Sequence, residues 1–491
     1  MSTVNESELT LGNGTYVSQS PQVSDQRYKN WFPNYPETQA ISKAQAFPTP
    51  GLTSILTTGG SASTNRGAFV MDGKPFFVNG STLWRIDRSV SLNNVETFSE
   101  VNLGTIAGTS RVSMDTNGTQ LCIVVPGTAT AYIYTTSGGL VQITDGDFIP
   151  SVATIVNQVK FVSGYFVFAA DNAVVFHSAV NDGLNYNALD FFVYENARND
   201  VVGIHEYKDQ LYVFSTVSSA GYSATNISSL GSAFVAITGY TFSKGLAARF
   251  TIFDFDGSFV MIGKGENESA KVYIFTGNDF EEISHKGIEF SLQGYSDDDI
   301  ANSFGFNYTT SEAIFAVFSL PNDTLVFDSK ASKLSGQIIW HERQSENLID
   351  KSRWRPNSLV TAYSRLMVGD SDSGIIGFVD DDADTDYGTT IIREIGLSTI
   401  ENNSKTQFHA YLEVVLASGE TTGDGEPQIG MSYSSDARNA TPTRYRGCGK
   451  KGEYNKKVRW YNLGSTNRLR NYTLTTTAKL TLWKVLAVID G

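Results

Sequence analysis

The sequence predicts an all-β protein: a seven-bladed (or similar) β-propeller followed by a C-terminal β-sandwich. Three observations carry this. The chain of 491 residues is 41% hydrophobic and only 18% charged, which supplies a sizeable core and excludes a disordered chain. Aromatic residues reach 12%, with 30 Phe and 23 Tyr, and 44 glycines stand against 12 prolines, a composition suited to pleated surfaces joined by tight turns. Above all, a hairpin unit recurs every 45 to 54 residues. Units of that length with three or four strands are the mark of a propeller.

The elements follow in order. Residues 1–30 are polar, rich in Ser, Asn and Gln, and read as an extended arm. From 31 to 387 the repeat dominates. Its turns are Asp72-Gly73, Asn117-Gly118, Ser163-Gly164, Lys208-Asp209 and Asp256-Gly257, then the weaker Thr310-Ser311 and Tyr363-Ser364. Asn-Gly and Asp-Gly are favoured in two-residue hairpins because both central positions tolerate positive φ. A third strand after each hairpin carries one large aromatic: Trp84, Tyr134, Phe176, Tyr222, Phe275, Phe327 and Phe378. Several units lack a clear fourth strand. The acidic run Asp380–Asp386 marks a boundary, and residues 388–491 change to longer alternating strands, which read as a sandwich.

Charge and cysteine content narrow the function classes. The net charge is −14, which opposes adhesion of the whole surface to nucleic acid or anionic membranes. Cys122 and Cys448 are too far apart in sequence for a zinc motif or a disulfide framework. The start shows no apolar segment behind a basic end, so no signal peptide is expected, and no run approaches the length of a transmembrane helix.

Catalytic readings find little support. The nearest approach to a sialidase Asp-box is Asp370–Gly377 (DSDSGIIG), which lacks the initial Ser and the final Trp and occurs once. No particular pair of carboxylates is marked out for glycoside hydrolysis. There is no Gly-x-Ser-x-Gly elbow and no phosphate loop. His341, beside Trp340, reads as a packed residue rather than a base. Asp370, Asp372 and the run Asp380–Asp386 offer oxygen ligands but not the calcium-loop spacing, and read as solvated acidic turns. No catalytic residue, metal or cofactor is assigned.

The informative feature is basic. Arg444, Arg446, Lys450, Lys451, Lys456, Lys457, Arg459, Arg468 and Arg470 fall within 27 residues, opposed only by Glu453, with Trp460 and Tyr461 among them. Arg and aromatic residues are enriched at interfaces, so these residues, Trp460 included, are candidates for docking an acidic partner; DNA phosphates are the other option. Trp460 and Tyr461 could equally fill the sandwich core.

Taken in order, several short motifs resemble one family. Asn30–Pro36 (NWFPNYP) and Phe47–Leu52 (FPTPGL) are similar to its entry segment. Ser110–Met114 (SRVSM), Val201–Ile204 with Leu211–Phe214, and Lys244–Leu246 with Ser258–Gly263 and Val272–Phe275 are similar to its blades. Lys457–Trp460 (KVRW) and Arg468–Arg470 (RLR) resemble its basic strand pair. The family is the packaged-DNA stabilisation protein of short-tailed bacteriophages, also described as a tail hub or nozzle, and the likeness spans roughly residues 27–491. The resemblance implies a non-enzymatic virion part, assembled in the host cytoplasm. It implies a homohexameric ring below the portal and adaptor ring that retains packaged DNA and forms the ejection channel. It also implies anchoring of a tail needle and of tailspikes or tail fibres, transient proximity to DNA, and no membrane partner. The alternative from another class is a β-propeller carbohydrate-binding protein or glycoside hydrolase.

Overall fold

The computed structural model describes residues 4–490 apart from 21, 23, 61–62, 196–199, 226–230, 346–352, 404 and 421–424. Seven antiparallel blades follow one another along the chain. Their innermost strands are Asn65–Met71, Ser113–Thr116, Val156–Val162, Gly203–Tyr207, Phe253–Phe255, Phe304–Thr309 and Pro356–Ala362. All seven aromatics of the repeat lie on third strands, and five of them, Tyr134, Phe176, Tyr222, Phe275 and Phe327, are buried. Several of them join neighbouring blades: Phe76 of blade 1 meets Tyr134 of blade 2 at 5.3 Å, and Tyr212 of blade 4 meets Phe275 of blade 5 at 5.2 Å.

Turn chemistry sets the hairpins. Both central residues are left-handed at Asp72-Gly73, Ser163-Gly164, Lys208-Asp209, Asp256-Gly257 and Tyr363-Ser364. That geometry matches the right-handed twist of the strands it joins. The other two hairpins, Thr116 to Gln120 and Thr309 to Ile314, use longer loops.

Six blades take their fourth strand from the following chain. The seventh takes it from the start of the chain: Gly51–Thr57 pairs antiparallel with Ile375–Asp380 at six positions, from Asp380↔Gly51 to Ile375↔Thr57. The ring is thus closed by hydrogen bonds between segments more than 300 residues apart, and no blade edge is left open at the seam.

The residues ahead of the closing strand depart from an arm. Val4–Leu9 pairs with Leu482–Asp490 at six positions, and the hairpin Trp31–Asn34 with Gln45–Pro48 joins the same sheet. That sheet continues through Gln407–Leu416 to Val458–Tyr461. It packs on a second sheet of Arg393–Gly396, Leu469–Thr476, Gln428–Ser434 and Arg444–Gly447. Between them lie Leu412, Val414, Trp460 and Val485 from one side and Ile395, Met431 and Leu474 from the other, with Leu9, Tyr28 and Trp31 of the N-terminal segment. Each large apolar side chain so buried contributes about 1.5–3 kcal/mol. The sandwich is therefore built from both ends of the chain.

One short strand couples the two parts. Tyr28–Lys29 bridges Trp340–Arg343 of blade 6 on one side and Arg393–Gly396 of the sandwich on the other, giving a continuous sheet. Beside it, Asn30 donates to the carbonyls of Gln344 and Ile392, both at 2.8 Å. Between blades 5 and 6 the helices Lys286–Gln293 and Asp297–Ala301 cover the core, and the Asp297-Asp298-Asp299 run is the first turn of the second, capped by Ser296.

Candidate functional site

The basic cluster lies where the two sandwich sheets meet at one edge. In Val458–Tyr461, strand alternation points Val458 and Trp460 inward and Arg459 and Tyr461 outward. Trp460 Nε1 donates to the Arg444 carbonyl at 2.7 Å, and Arg446 Nε donates to the Arg459 carbonyl at 3.2 Å. These bonds hold Arg444–Gly447 of one sheet against Val458–Tyr461 of the other. The loop between them turns on Gly449 and Gly452, both at positive φ, and Gly452 N donates to the Gly419 carbonyl at 3.0 Å.

The structure divides the ten sequence candidates. Arg446, Lys450, Lys451, Lys456, Lys457 and Arg468 are exposed. Arg444 and Arg459 are half-buried; Arg459 is paired with Glu413 at 2.6 Å, as Lys456 is with Glu426 at 3.1 Å. Among the described residues, Lys450, Lys451 and Lys457 have no carboxylate within 4 Å of the ammonium. Trp460 and Arg470 must be removed as interface anchors. Trp460 is 0% exposed and fills the sandwich core. Arg470 is 2% exposed, donates to the carbonyls of Leu463 at 2.8 Å and Ser465 at 3.1 Å, and lies over the Tyr433 ring. Both are structural because their strands carry them to the buried face.

The exposed aromatics of this surface are instead Tyr445, Tyr454 and Tyr461. Tyr445 pairs with Gly430 on an edge strand, and its place between Arg444 and Arg446 in the basic run is the signal that could have found it. Free ammonium groups interleaved with exposed phenol rings form a surface suited to an acidic protein partner.

Asp370, Asp380 and Asp386 are tied into the fold, whereas Asp372, Asp381, Asp382 and Asp384 are exposed. Asp370, fully buried, accepts two hydrogen bonds from Arg355 at 2.8 and 2.6 Å and one from Ser373. Asp380 accepts from Thr53 on the closing strand at 2.7 Å. Asp386 is buried near Arg343, Arg355 and Arg393, and burial pushes its carboxyl up to about 6. His341 is 0% exposed against Phe32 and Phe315, with its pKa driven well down by burial. Both cysteines are buried free thiols whose pKa burial raises, Cys448 to about 12.

On the propeller axis, Asp115 accepts from Phe161 N at 3.0 Å and Asp254 from His205 Nε2 at 3.1 Å, each tying one blade to the next. Ser113 with Val159, Gln158 with Ile204 N and Asp209 with Ser163 make further ties of the same kind. Such carboxylates and amides are occupied in holding the ring.

Comparison with known proteins places this geometry. A family profile described as "Bacteriophage P22 Gp10, beta-propeller" matches residues 7–384, which takes in all seven blades and the closing strand and stops ahead of the last sandwich strands. The chain is 21% identical over 384 residues to the tail hub protein gp10 of Salmonella phage P22, covering 76% of this chain and 79% of the relative. Among solved structures, the WD40 β-propeller domain of Doa1 is 12% identical, with a TM-score of 0.40 over 67% of this chain and 96% of that one. An exo-β-1,3-galactanase from Phanerochaete chrysosporium is 11% identical, with a TM-score of 0.30 over 83% of this chain and 100% of that one.

Proposed function

The chain belongs to the P22 Gp10 family of β-propeller phage proteins, which makes it a phage tail hub or stabilisation protein and a virion component, and on that premise we propose that it is the structural nozzle of a short-tailed phage. In this reading it has no enzymatic activity. Several copies, six by the family likeness, form a ring below the portal and its adaptor, retain the packaged genome, line the ejection channel and carry the needle and tailspikes. The observation that carries the reading is the family match across all seven closed blades.

The physics of the chain supports it. Seven blades with a strand-paired seam make a wall with protected edges. A net charge of −14 repels DNA phosphates, so a genome slides past without sticking. The basic, tyrosine-studded edge of the sandwich then serves a protein neighbour rather than the lumen, and we assign it to the adaptor ring.

Two experiments test this. A phage unable to make the chain should package DNA and then lose it, giving empty heads; stable full heads would refute the retention role. Reversing Lys450, Lys451, Lys456 and Lys457 to Glu should abolish docking to the adaptor ring while the propeller stays folded. Unchanged docking would sink the assignment of this surface.

A further inference from the structure

The axis of the propeller holds cations that the fold leaves unpaired. A cavity of about 200 Å³ lies among the inner segments of six blades, from Gly67 in blade 1 to Asn357 in blade 7. Its wall includes Arg111, Lys160 and Arg249 and not one Asp or Glu. In a chain with 51 acidic residues against 37 basic ones, that local reversal calls for a cause.

The hydrogen bonds show how little the fold asks of these arginines. Arg66, which stands one repeat step before Arg111, donates to the carbonyls of Ser110, Gly80, Ile106 and Ala107 and is consumed by architecture. Arg111 donates through Nη2 to the Asn357 carbonyl alone and lies over the Phe304 ring, 3.7 Å from its centroid. Arg249 donates through Nε to the Val202 carbonyl at 2.9 Å. Among the described residues neither has a second acceptor or a carboxylate within 4 Å. Both residues line the cavity.

Their surroundings make the charge costly. Burial holds Arg111 down to about 9, with Arg353 repelling it, and burial alone holds Arg249 down to about 10. Lys160 favours the charged form of the axial carboxylates Asp115 and Asp254, while no carboxylate is among the influences on the two arginines. Both side chains are half-buried, and an anion in the cavity would balance positive charge that no carboxylate of the wall meets. The neutral polar groups of the wall are already engaged: Gln158 accepts from Ile204 N, Ser113 pairs with Val159, and Ser358 donates to Asn65.

We propose that this axial cavity binds one small oxyanion of the phosphate or sulfate class, held by Arg111 and Arg249. The planar guanidinium fork matches the oxygens of such an ion. The cavity is smaller than the roughly 300–1,000 Å³ of sites for drug-sized ligands, so it takes the free ion and not a nucleotide. The site is separate from the basic sandwich edge and does not depend on its docking role.

The test titrates inorganic phosphate, and in a parallel arm deoxyadenosine monophosphate, into the full chain at constant ionic strength. Melting temperature and calorimetry are the readouts. Phosphate should raise the melting temperature saturably with one site per chain, and the nucleotide should have no saturable effect. In Arg111→Met and Arg249→Met the apparent affinity should fall at least about tenfold each, and the double variant should lose the effect. Crystals of the wild-type chain soaked in selenate should show anomalous density between Arg111 and Arg249, a readout that decides the matter if the double variant fails to fold. No saturable phosphate effect, the same effect in the folded double variant, nucleotide binding in place of phosphate, or an empty cavity in selenate would each overturn the proposal.

Discussion

Replacing Gly377 by valine attacks the seam of the propeller at one point. A Cβ at Gly377 would meet the Thr53 carbonyl oxygen at 2.6 Å and the Tyr387 ring at 2.5 Å. The carbonyl belongs to the closing strand, so that strand must move away. It is paired at six positions, and a backbone hydrogen bond is worth about 1 kcal/mol net. Leu52, 1% exposed, adds about 2 kcal/mol of burial. Stripping the whole strand would cost about 8 kcal/mol, a large part of the roughly 5–15 kcal/mol that holds a folded domain together. Displacing only the pairs beside Gly377 costs about 2 kcal/mol, which is about a 30-fold rise in local opening. Native-state hydrogen exchange reads this directly. Amides of Gly51–Thr57 and Ile375–Asp380 should exchange about 30-fold faster, while Gln210–Phe214 in blade 4 is unchanged. Unaltered exchange in Gly51–Thr57 would refute the reasoning that this strand closes the ring.

Other outcomes follow from the same geometry. Arg355→Met should cost about 3–5 kcal/mol because it strands the buried Asp370 carboxylate, and Arg355→Met with Asp370→Leu should recover at least about 2 kcal/mol; additive losses in a urea double-mutant cycle would contradict the pairing. All five histidines are held below their ordinary pKa by burial, His285 and His409 at about 4. At His285 and His409 the unfolded chain takes up protons below about pH 6.5 that the folded chain refuses until about pH 4, so stability should fall as pH drops through that window. His285 accepts from Gly287 N and Ile288 N as a helix cap, and His285→Asn should keep the cap and remove about 2 kcal/mol of the loss between pH 7.5 and pH 5, read by urea unfolding at those two values. Ser364, exposed at φ 60°, should gain about 0.5–1 kcal/mol on replacement by Gly, seen as a higher denaturation midpoint.

The repeat was legible because its determinants are local. Asp72-Gly73 and Asp256-Gly257 dictate their hairpins by positive φ, and an aromatic follows at a fixed offset, so blades can be found without knowing their neighbours. The closing strand was hidden because its partner lies at the other end of the chain and its alternation is weak: Gly51–Thr57 has the same polar look as the residues around it. Outer strands such as Phe191–Val193 and Phe280–Glu282 are three residues long and half solvated, too short to show a period. The segment before residue 31 looked like an arm because Val4–Leu9 is polar, and backbone pairing with Leu482–Asp490 leaves no compositional trace.

The basic cluster was plain as a run of charges, but its use was not. Strand register turns Trp460 and Arg470 inward and Tyr461 to water, Tyr445 is exposed on an edge strand, and Tyr454 is exposed on the loop between strands. Likewise Arg66 and Arg111 occupy equivalent places in the repeat, yet one meets four carbonyls and the other one. Charge patterns in sequence locate cations; partners decide what they do.

The central claim, that this chain is the structural hub of a phage tail, is tested most directly by electron cryo-microscopy of intact virions that contain it. Density is expected for a ring of seven-bladed propellers directly below the portal and adaptor, with the Arg444–Arg470 edge of each sandwich against the adaptor and a central passage between subunits. Virions that lack the chain, or that carry it as single copies away from the tail axis, would contradict it.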